Sequence, residues 1–224
     1  MSANKLLPDH PDTTPLSNGP RIAVDLMGGI GCGSDNLAAC LDYPSLSELT
    51  LVGQEDKLDA SALTRLQNGG ARFIHADKYL LGSESLADVL RSRDETSLSK
   101  SAQLLADGKV DALISSADTK ALMGLARSHV GTLQGLRRPA IAKAFQGINR
   151  SFYMLDLGAN VDCPPTLLYQ FACLGSALAG TDETFSTKNA VNVAILNIGT
   201  EANKGKDDLH AAAQLIDAAT SFDF

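Results

Sequence analysis

RIAVDLMGGIGCGSDN, residues 21–36, carries the clearest structural pattern in the sequence. Its first five residues form a short, partly β-branched apolar run that ends in an acid, Asp25, as is typical of a buried strand. Glycine then occupies four of the next eight positions: Gly28, Gly29, Gly31 and Gly33. Ser34 and Asp35 are favourable helix caps, so we expect a helix from there to Leu41. The stretch therefore predicts a strand, a glycine-rich turn and a helix in succession.

The same alternation of strand and helix continues along the chain. The hydrophobic pattern predicts further strands at residues 49–53, 71–76, 111–116, 151–158 and 190–199. It predicts further helices at residues 59–67, 86–93, 97–106, 119–128, 166–179 and 207–219. The apolar run AVNVAILNIG, residues 190–199, is typical of a strand that is buried on both faces. This order predicts an α/β fold, a three-layer, Rossmann-like α/β/α sandwich with a mostly parallel sheet.

Two regions are distinguished along the chain. Residues 1–20 hold four of the eight prolines and no apolar core of a secretion signal, so we expect a disordered leader. Residues 21–224 contain no Pro/Ser-rich linker and are predicted to form one α/β domain. The chain ends in SFDF, where Phe222 and Phe224 resemble the start of another strand. We therefore expect the fold to be incomplete at its C-terminus.

Composition argues against several classes of function. Lys and Arg number 19 against 26 Asp and Glu, a net charge of −7, and the chain has no Trp, so nucleic-acid binding is not expected. No apolar run approaches the roughly 20 residues that span a bilayer. The four cysteines form no Cys-x-x-Cys pair and no metal-ligand spacing with histidine. They are Cys32, Cys40, Cys163 and Cys173. We expect reduced, mostly buried thiols in a cytosolic protein, and no metal site.

Four turns that follow predicted strands combine glycine, small polar residues and charge. They are DLMGGIGCG (25–33), SSADTKALMG (115–124), DLGANVDC (156–163) and NIGTEANKGK (197–206). In a parallel sheet these turns lie together at the carboxyl edge, where ligands bind. Glycines let the backbone approach an anion, and the helix starts offer free N–H groups. A single turn of this kind is also common in folds without a phosphate site, so each turn alone is a weak indication of an anion site.

Two common classes of site are not supported by the spacing. GGIGCGS does not fit the dinucleotide pattern G-x-G-x-x-G, since Ser34 stands where the last glycine belongs, and no G-x-x-x-x-G-K-[ST] is present. No G-x-S-x-G occurs, and none of the four histidines adjoins a nucleophile motif. A nucleotide-binding protein and a serine hydrolase are both disfavoured.

Several of these stretches resemble the phosphate acyltransferase (PlsX) family. The similar segments are VDLMGG, ALMGLA, GLRRPA, LDLGANVDC with QFACLGSALA, and LNIGTEANKG, in the family's order and spacing from about Arg21 to Phe224. The resemblance implies transfer of a fatty acyl group from acyl-carrier protein to inorganic phosphate, which forms acyl phosphate for phospholipid synthesis. It implies no cofactor, a cytoplasmic protein with peripheral contact at the inner membrane face, and a homodimer in the full-length family.

The resemblance also implies roles for particular residues. Lys204 matches the family's lysine and is expected to be the cation for phosphate or oxyanion, with Asn197 and Glu201 orienting its loop. The expected substrate-binding residues are Asp25, Gly28, Gly29, Thr119, Arg138, Asn160 and Asp162. For Arg138, a surface salt bridge is an equal alternative.

This chain departs from the family in three places. Ile30 to Gly33 replace an Asp and a Phe/Tyr-Gly-Pro run, and SSADTK, residues 115–120, replaces S-A-G-N-T-G. The new side chains bar backbone conformations that glycine allows, and Asp118 repels phosphate while Lys120 offsets it. Family members also continue beyond the length of this chain. Two alternatives thus stay open: a catalytically impaired remnant or binding module of the same fold, and a phosphotransacetylase-like acyltransferase that uses coenzyme A.

Overall fold

A computed structural model describes residues 19–31, 33–92, 95–148, 151–182, 191–199 and 205–219. The chain divides into two compact units, residues 1–130 and 131–224, and each is described by itself. The first unit contains β1 (Ile22–Asp25), α1 (Ser34–Leu41), β2 (Leu49–Gly53), α2 (Ala60–Asn68), β3 (Arg72–His75), α3 (Leu86–Arg91), α4 (Ser97–Ala106), β4 (Ala112–Ser115) and α5 (Thr119–His129). The second contains β5 (Ala142–Gln146), β6 (Ser151–Leu155), α6 (Pro165–Thr181) and α7 (Asp207–Asp217).

The sheet of the first unit is wholly parallel, with the strand order β3-β2-β1-β4. Asp25, the last residue of β1, pairs with Val52 of β2 on one side and with Ser115 of β4 on the other. The carboxyl ends of these three strands are therefore level. The turns that follow β1 and β4 leave the sheet side by side, which is the arrangement that the strand–helix alternation predicted.

Helices cover both faces of this sheet. The chain moves from β1 through β2 to β3 in one direction and then returns to place β4 on the other side of β1. Because crossovers between parallel strands are right-handed, α1 and α2 lie on one face and α4 on the opposite face. Ile22 and Val24 accordingly share a hydrophobic cluster with Leu37 and Leu63, while α4 packs against β1, β2 and β4. The predicted three-layer α/β fold is confirmed for this unit.

Local signals place the helix starts of the first unit. The carboxylate of Asp59 accepts a hydrogen bond from the N–H of Ala62, and Ser85 and Thr96 cap α3 and α4 in the same way. α1 begins at Ser34 as expected, but Gly33 occupies the N-cap position with a φ of 89° and neither Ser34 nor Asp35 caps the helix. That φ favours glycine, which explains why the turn ends on one.

The sheet of the second unit is antiparallel. β5 and β6 form a hairpin, and α6 packs against β6 and α7. The sequence did not predict β5, and the strand expected at residues 190–199 is not formed in the described part of that segment. Leu196 and Ile198 are instead largely exposed. An apolar run forms a strand only where a neighbouring strand accepts its backbone hydrogen bonds, and in the described part of this run only Asn192 lies in an isolated bridge.

Some expectations lie outside the described residues. These are the disordered leader, apart from its last two residues, and the strand suggested by Phe222 and Phe224. No helix in the part of the chain that the structure describes has the length and hydrophobicity needed to cross a bilayer.

Candidate functional site

The turns after β1 and β4 flank the point where the direction of the crossovers reverses, which we call the switch point. The chain runs from β1 to β2 on one side and reaches β4 on the other. In open parallel sheets the two turns at such a point diverge to opposite faces and leave a crevice between them, which is the usual ligand site. Of the predicted residues, Gly28 and Gly29 belong to the first turn, Asp25 ends the strand before it, and Thr119 begins the helix after the second turn.

Glycine is required where the first turn meets the second. A Cβ atom on Gly28 would lie 2.6 Å from the backbone nitrogen of Ala117 and 3.0 Å from the hydroxyl of Ser115. Gly29 has a φ of +86°, and a Cβ there would lie 2.7 Å from the hydroxyl of Ser116. We call residues Gly28–Gly31 the glycine loop. Its backbone lies so close to the turn after β4 that residues with a Cβ atom would not fit at Gly28 or Gly29.

Asp25 lies beneath this loop and is only 2% exposed. One carboxylate oxygen accepts a hydrogen bond of 2.7 Å from the Ser115 hydroxyl, and the other accepts one of 3.2 Å from the N–H of Met27. Burial raises the pKa of the Asp25 carboxyl above its ordinary value of 3.8, although hydrogen bonds from Ser97, Ser115 and Met27 act to lower it. In this structure Asp25 therefore anchors the loop from below and is not on its open side.

Two polar side chains that the sequence analysis missed tie the loop in place. The amide nitrogen of Asn36 donates to the carbonyl oxygens of Leu26 and Gly28, at 2.8 and 2.9 Å. The hydroxyl of Ser116 donates to the same Gly28 oxygen at 2.7 Å. The available signal was weak: an Asn in the first turn of a helix, where its side chain readily bonds to nearby backbone, and a serine directly after a strand.

The turn after β4 ends in a carboxylate that caps α5. Asp118 accepts hydrogen bonds from the N–H groups of Lys120 and Ala121, at 3.0 and 3.3 Å. Thr119 is the exposed first residue of the helix. Asp118 thus occupies N–H groups that an anion would use at a helix start, and it brings a negative charge to the crevice.

In the second unit, Asp156 organises the turn that carries the predicted residues Asn160 and Asp162. Its carboxylate accepts hydrogen bonds from the N–H of Ile141 at 2.9 Å, from the N–H of Asn160 at 2.7 Å and from the Asn160 side chain at 3.0 Å. The Asn160 amide also donates to the carbonyl of Pro139, beside Arg138. Asp156 therefore fixes the LDLGANVDC turn against the segment that carries Arg138.

The charges near Asp156 also act on the thiol of Cys163. Burial raises the pKa of its thiol, the carboxylates of Asp156 and Asp162 raise it further, and Arg138 lowers it. Asn160 thus contacts Asp156 directly, and Arg138 and Asp162 lie close enough to Cys163 for their charges to act on its thiol.

Of the three predicted catalytic residues, the structure describes only Asn197. Its side-chain oxygen accepts a hydrogen bond of 2.8 Å from the N–H of Ile198. A Cβ atom on Gly205 would lie 2.5 Å from that same oxygen, so Gly205, with a φ of +91°, permits the close contact. Glu201 and Lys204 lie outside the described residues, and their roles stay predictions.

One open depression lies elsewhere on the carboxyl edge, at the ends of β2 and β3. Its lining is Gln54, Glu55, Asp56, His75 and Asp77. Three carboxylates make it a poor place for an anion, and it contains none of the predicted site residues. In the described ranges, no three His, Cys, Asp or Glu side chains are placed to hold a metal ion.

The sequence matches known proteins over almost its whole length. The profile of a family described as fatty acid synthesis protein matches residues 20–224. A phosphate acyltransferase of Cellvibrio japonicus is 35% identical over 206 residues, which cover 92% of this chain and 58% of the relative. Phosphate acyltransferases of Pseudomonas syringae and Pseudomonas fluorescens are 36% and 38% identical over 211 and 208 residues, which cover 92% and 91% of this chain and 61% of each relative. The chain thus spans about three fifths of the length of these relatives.

Proposed function

This chain belongs to the fatty acid synthesis protein family, and from that membership we propose that it transfers a fatty acyl group from acyl-carrier protein to inorganic phosphate. The product, acyl phosphate, supplies phospholipid synthesis. The observation that carries the proposal is the family match over residues 20–224, which includes both turns at the switch point and the Asp156 turn, together with phosphate acyltransferases that align with 92% of the chain. Acyl-carrier protein, a homodimer, a cytoplasmic location and peripheral membrane contact belong to the same proposal.

The reaction needs groups of the kind found at these turns. A phosphate oxygen bonds to the thioester carbonyl carbon, the C–S bond breaks, and the proton of hydrogenphosphate ends on the leaving sulfur. The requirements are donors that hold an anion, a donor for the developing oxyanion, and close positioning of the two substrates. Backbone N–H groups of the glycine loop suit the first requirement, and no covalent nucleophile is involved.

The remaining predicted residues have these proposed roles. Lys204 stabilises the phosphate or the oxyanion, and Asn197 and Glu201 orient its loop. Asn160 and Asp162 shape a second wall, supported by the hydrogen bonds that Asn160 makes with Asp156 and Pro139. Arg138 pairs with phosphate or with a carboxylate.

The test supplies this chain with acyl-carrier protein bearing a fatty acyl thioester. Release of the carrier thiol is measured with and without phosphate, and acyl phosphate is trapped with hydroxylamine. We expect thiol release that depends on phosphate and a matching yield of hydroxamate. Release that is independent of phosphate would contradict the proposal, and turnover with acyl-coenzyme A alone would favour a coenzyme A-dependent transferase.

Lys204→Met tests the proposed cation. We expect turnover to fall about 100-fold or more, the scale of losing one charge-stabilising group at a transition state. The melting temperature should barely change, because a solvated lysine contributes little to stability. Lys57→Met, at an exposed lysine of the first unit, is the matched control. A loss of less than about threefold would remove Lys204 from the site.

One observation favours a second candidate, a binding module that has lost activity. Asp118 caps α5 with a carboxylate where an anion site would have free N–H groups. A chain that binds acyl-carrier protein and forms no acyl phosphate at any phosphate concentration would support this candidate.

A further inference from the structure

Two side chains control the orientation of one peptide group in the glycine loop. We infer that Asn36, together with Ser116, is a positioning residue that turns the Gly28–Gly29 peptide so that its N–H faces the phosphate. This inference rests on the proposed function, since it assigns a task within that reaction. Neither residue need touch the substrate.

The Gly28 carbonyl oxygen is held from two sides. Asn36, in the first turn of α1, donates to it at 2.9 Å, and Ser116, directly after β4, donates at 2.7 Å. A carbonyl oxygen has two lone pairs, so these donors fill its capacity. The Gly28 oxygen is thereby held between α1, which carries Asn36, and the turn after β4, which carries Ser116.

The Asn36 amide is also fully used. Its nitrogen has two hydrogens, and its two shortest bonds go to the carbonyl oxygens of Leu26 and Gly28, with the Ser116 hydroxyl farther away at 3.3 Å. The opposite orientation of the amide would set its oxygen against two carbonyl oxygens and lose both bonds. The Leu26 oxygen accepts a further bond from the N–H of Gly33, at 2.9 Å. Asn36 therefore links the beginning and middle of the loop to the helix that follows it.

The fixed carbonyl determines where the next N–H points. In a planar trans peptide the C=O and N–H groups are antiparallel. Because the Gly28 oxygen points at Asn36 and Ser116, the Gly29 N–H points away from both. No hydrogen bond found among the described residues uses that N–H. It is the kind of backbone donor that binds phosphate in glycine-rich turns.

Asn36→Ala removes the hydrogen bonds from the Asn36 amide to the Leu26 and Gly28 oxygens, and it adds no charge that would itself repel phosphate. We expect the Kd for inorganic phosphate, measured by calorimetry, and the KM for phosphate to rise about tenfold, the cost of losing one well-aligned donor to a charged ligand. The KM for the acyl donor should stay within about threefold of wild type. Asn68→Ala, at an exposed asparagine that ends α2, makes the same chemical change away from the loop and should leave both constants unchanged.

Ser116, whose hydroxyl also lies within hydrogen-bond distance of the Asn36 amide, provides a second pair of variants. Ser116→Ala should raise the phosphate Kd by about threefold. Ser116→Thr keeps the hydroxyl at an exposed position and should restore the wild-type value. Rescue by threonine distinguishes positioning by the hydroxyl from a loss of packing.

The outcomes separate this inference from the proposed function. Phosphate binding without acyl transfer in the wild type would defeat the proposed function, and the Kd values would still decide the role of Asn36. A phosphate Kd that stays within about twofold in Asn36→Ala while the melting temperature falls would overturn the inference and leave Asn36 a structural residue. Failure of the wild type to bind phosphate would overturn both.

Discussion

At the scale of single residues, the buried carboxyl group of Asp25 supports the glycine loop. The carboxyl group lies under the glycine loop, and burial raises its pKa above 3.8. The folded state thus holds the Asp25 proton more tightly than the unfolded chain does. By linkage, the contribution of this group to stability is greatest at low pH and declines as pH rises from 3.8 through the raised folded pKa.

Asp25→Asn tests this linkage. The amide is neutral at every pH, so the variant should lack the decline that Asp25 causes in the wild type. We expect the melting temperature of the variant relative to wild type to increase between about pH 4 and about pH 7. Asp42→Asn, at an exposed position after α1, controls for general loss of a negative charge. Parallel pH profiles of the variant and the wild type would show that Asp25 has no shifted pKa.

Asp118 combines two effects that a single substitution can separate. Asparagine caps helices about as well as aspartate but has no charge. Asp118→Asn should therefore keep the melting temperature within a few degrees and lower the phosphate Kd about three- to tenfold, more at low salt. Asp59→Asn makes the same change at the cap of α2 and should not affect the Kd. Unchanged phosphate affinity in Asp118→Asn would mean that no anion approaches the start of α5.

The sequence indicated the glycines of this turn more readily than the side chains that hold it. Gly28 and Gly29 stand out because they follow a predicted strand directly and belong to the VDLMGG segment that resembles the family. Asp25 was predicted to bind substrate, and the structure places it beneath the loop. The bond between Ser116 and Gly28 joins residues 88 positions apart, and one sequence contains no sign of such a pair. Asn36 was missed because its partners are backbone atoms, which every residue carries.

At the scale of elements, an ion pair joins the starts of β1 and β4. The guanidinium of Arg21 donates to both carboxylate oxygens of Asp111, at 3.0 and 2.6 Å, and the Arg21 backbone N–H donates to one of them at 2.8 Å. These hydrogen bonds with Arg21 lower the pKa of Asp111 to about 2. The ion pair strengthens the pairing of β1 with β4. That pairing places the turns after β1 and β4 side by side at the opposite end of the sheet.

Asp111→Asn should weaken this link in a pH-dependent way. A carboxyl group whose folded pKa is depressed stabilises the fold above its unfolded pKa of 3.8 and loses that effect as pH falls through about 2. We expect the variant to melt below the wild type at neutral pH and the difference to vanish near pH 2. Asp107→Asn, whose carboxylate pairs with Lys109 nearby, is the control. Because the pair is exposed, a small effect is expected, and a difference that persists at pH 2 would rule out the ionised carboxylate as its cause.

Element boundaries were predicted well where local chemistry sets them. The predicted bounds of α1, β2 and α4 agree with the structure because caps, glycines and apolar runs mark their ends. β5 was missed because its sequence, AKAFQ, has alanine at alternate positions and no β-branched residue. Its pairing with β6 includes the stacked rings of Phe145 and Phe152, with centroids 5.6 Å apart. Such a contact depends on the partner strand and cannot be read from one segment.

At the scale of the whole molecule, the hydrophobic core is divided unequally between the two units. Among the described residues, the buried apolar side chains of the second unit are Leu167, Phe171, Ala212 and Ile216, whereas the first unit has 21. The two hydrophobic clusters found in the described part of the chain, the one around Ile22 and Leu37 and a second formed by Val89, Leu98, Ala121 and Leu125, also belong to the first unit. Since burial of apolar surface is the main stabilising term, the first unit should carry most of the folding free energy.

Residues 1–130 produced alone test this division. We expect them to unfold in a single cooperative thermal transition, because the fragment keeps both clusters and a sheet that helices cover on both faces. The fragment also keeps Gly28, Asn36 and Ser116, so it should bind inorganic phosphate with a Kd within about threefold of the whole chain, although it lacks Asn197 and Lys204 and should transfer no acyl group. Residues 131–224, with their small core, should show no sigmoidal transition and are the matched control. A folded fragment 1–130 that does not bind phosphate, beside a whole chain that does, would move the anion site into the second unit and away from the glycine loop.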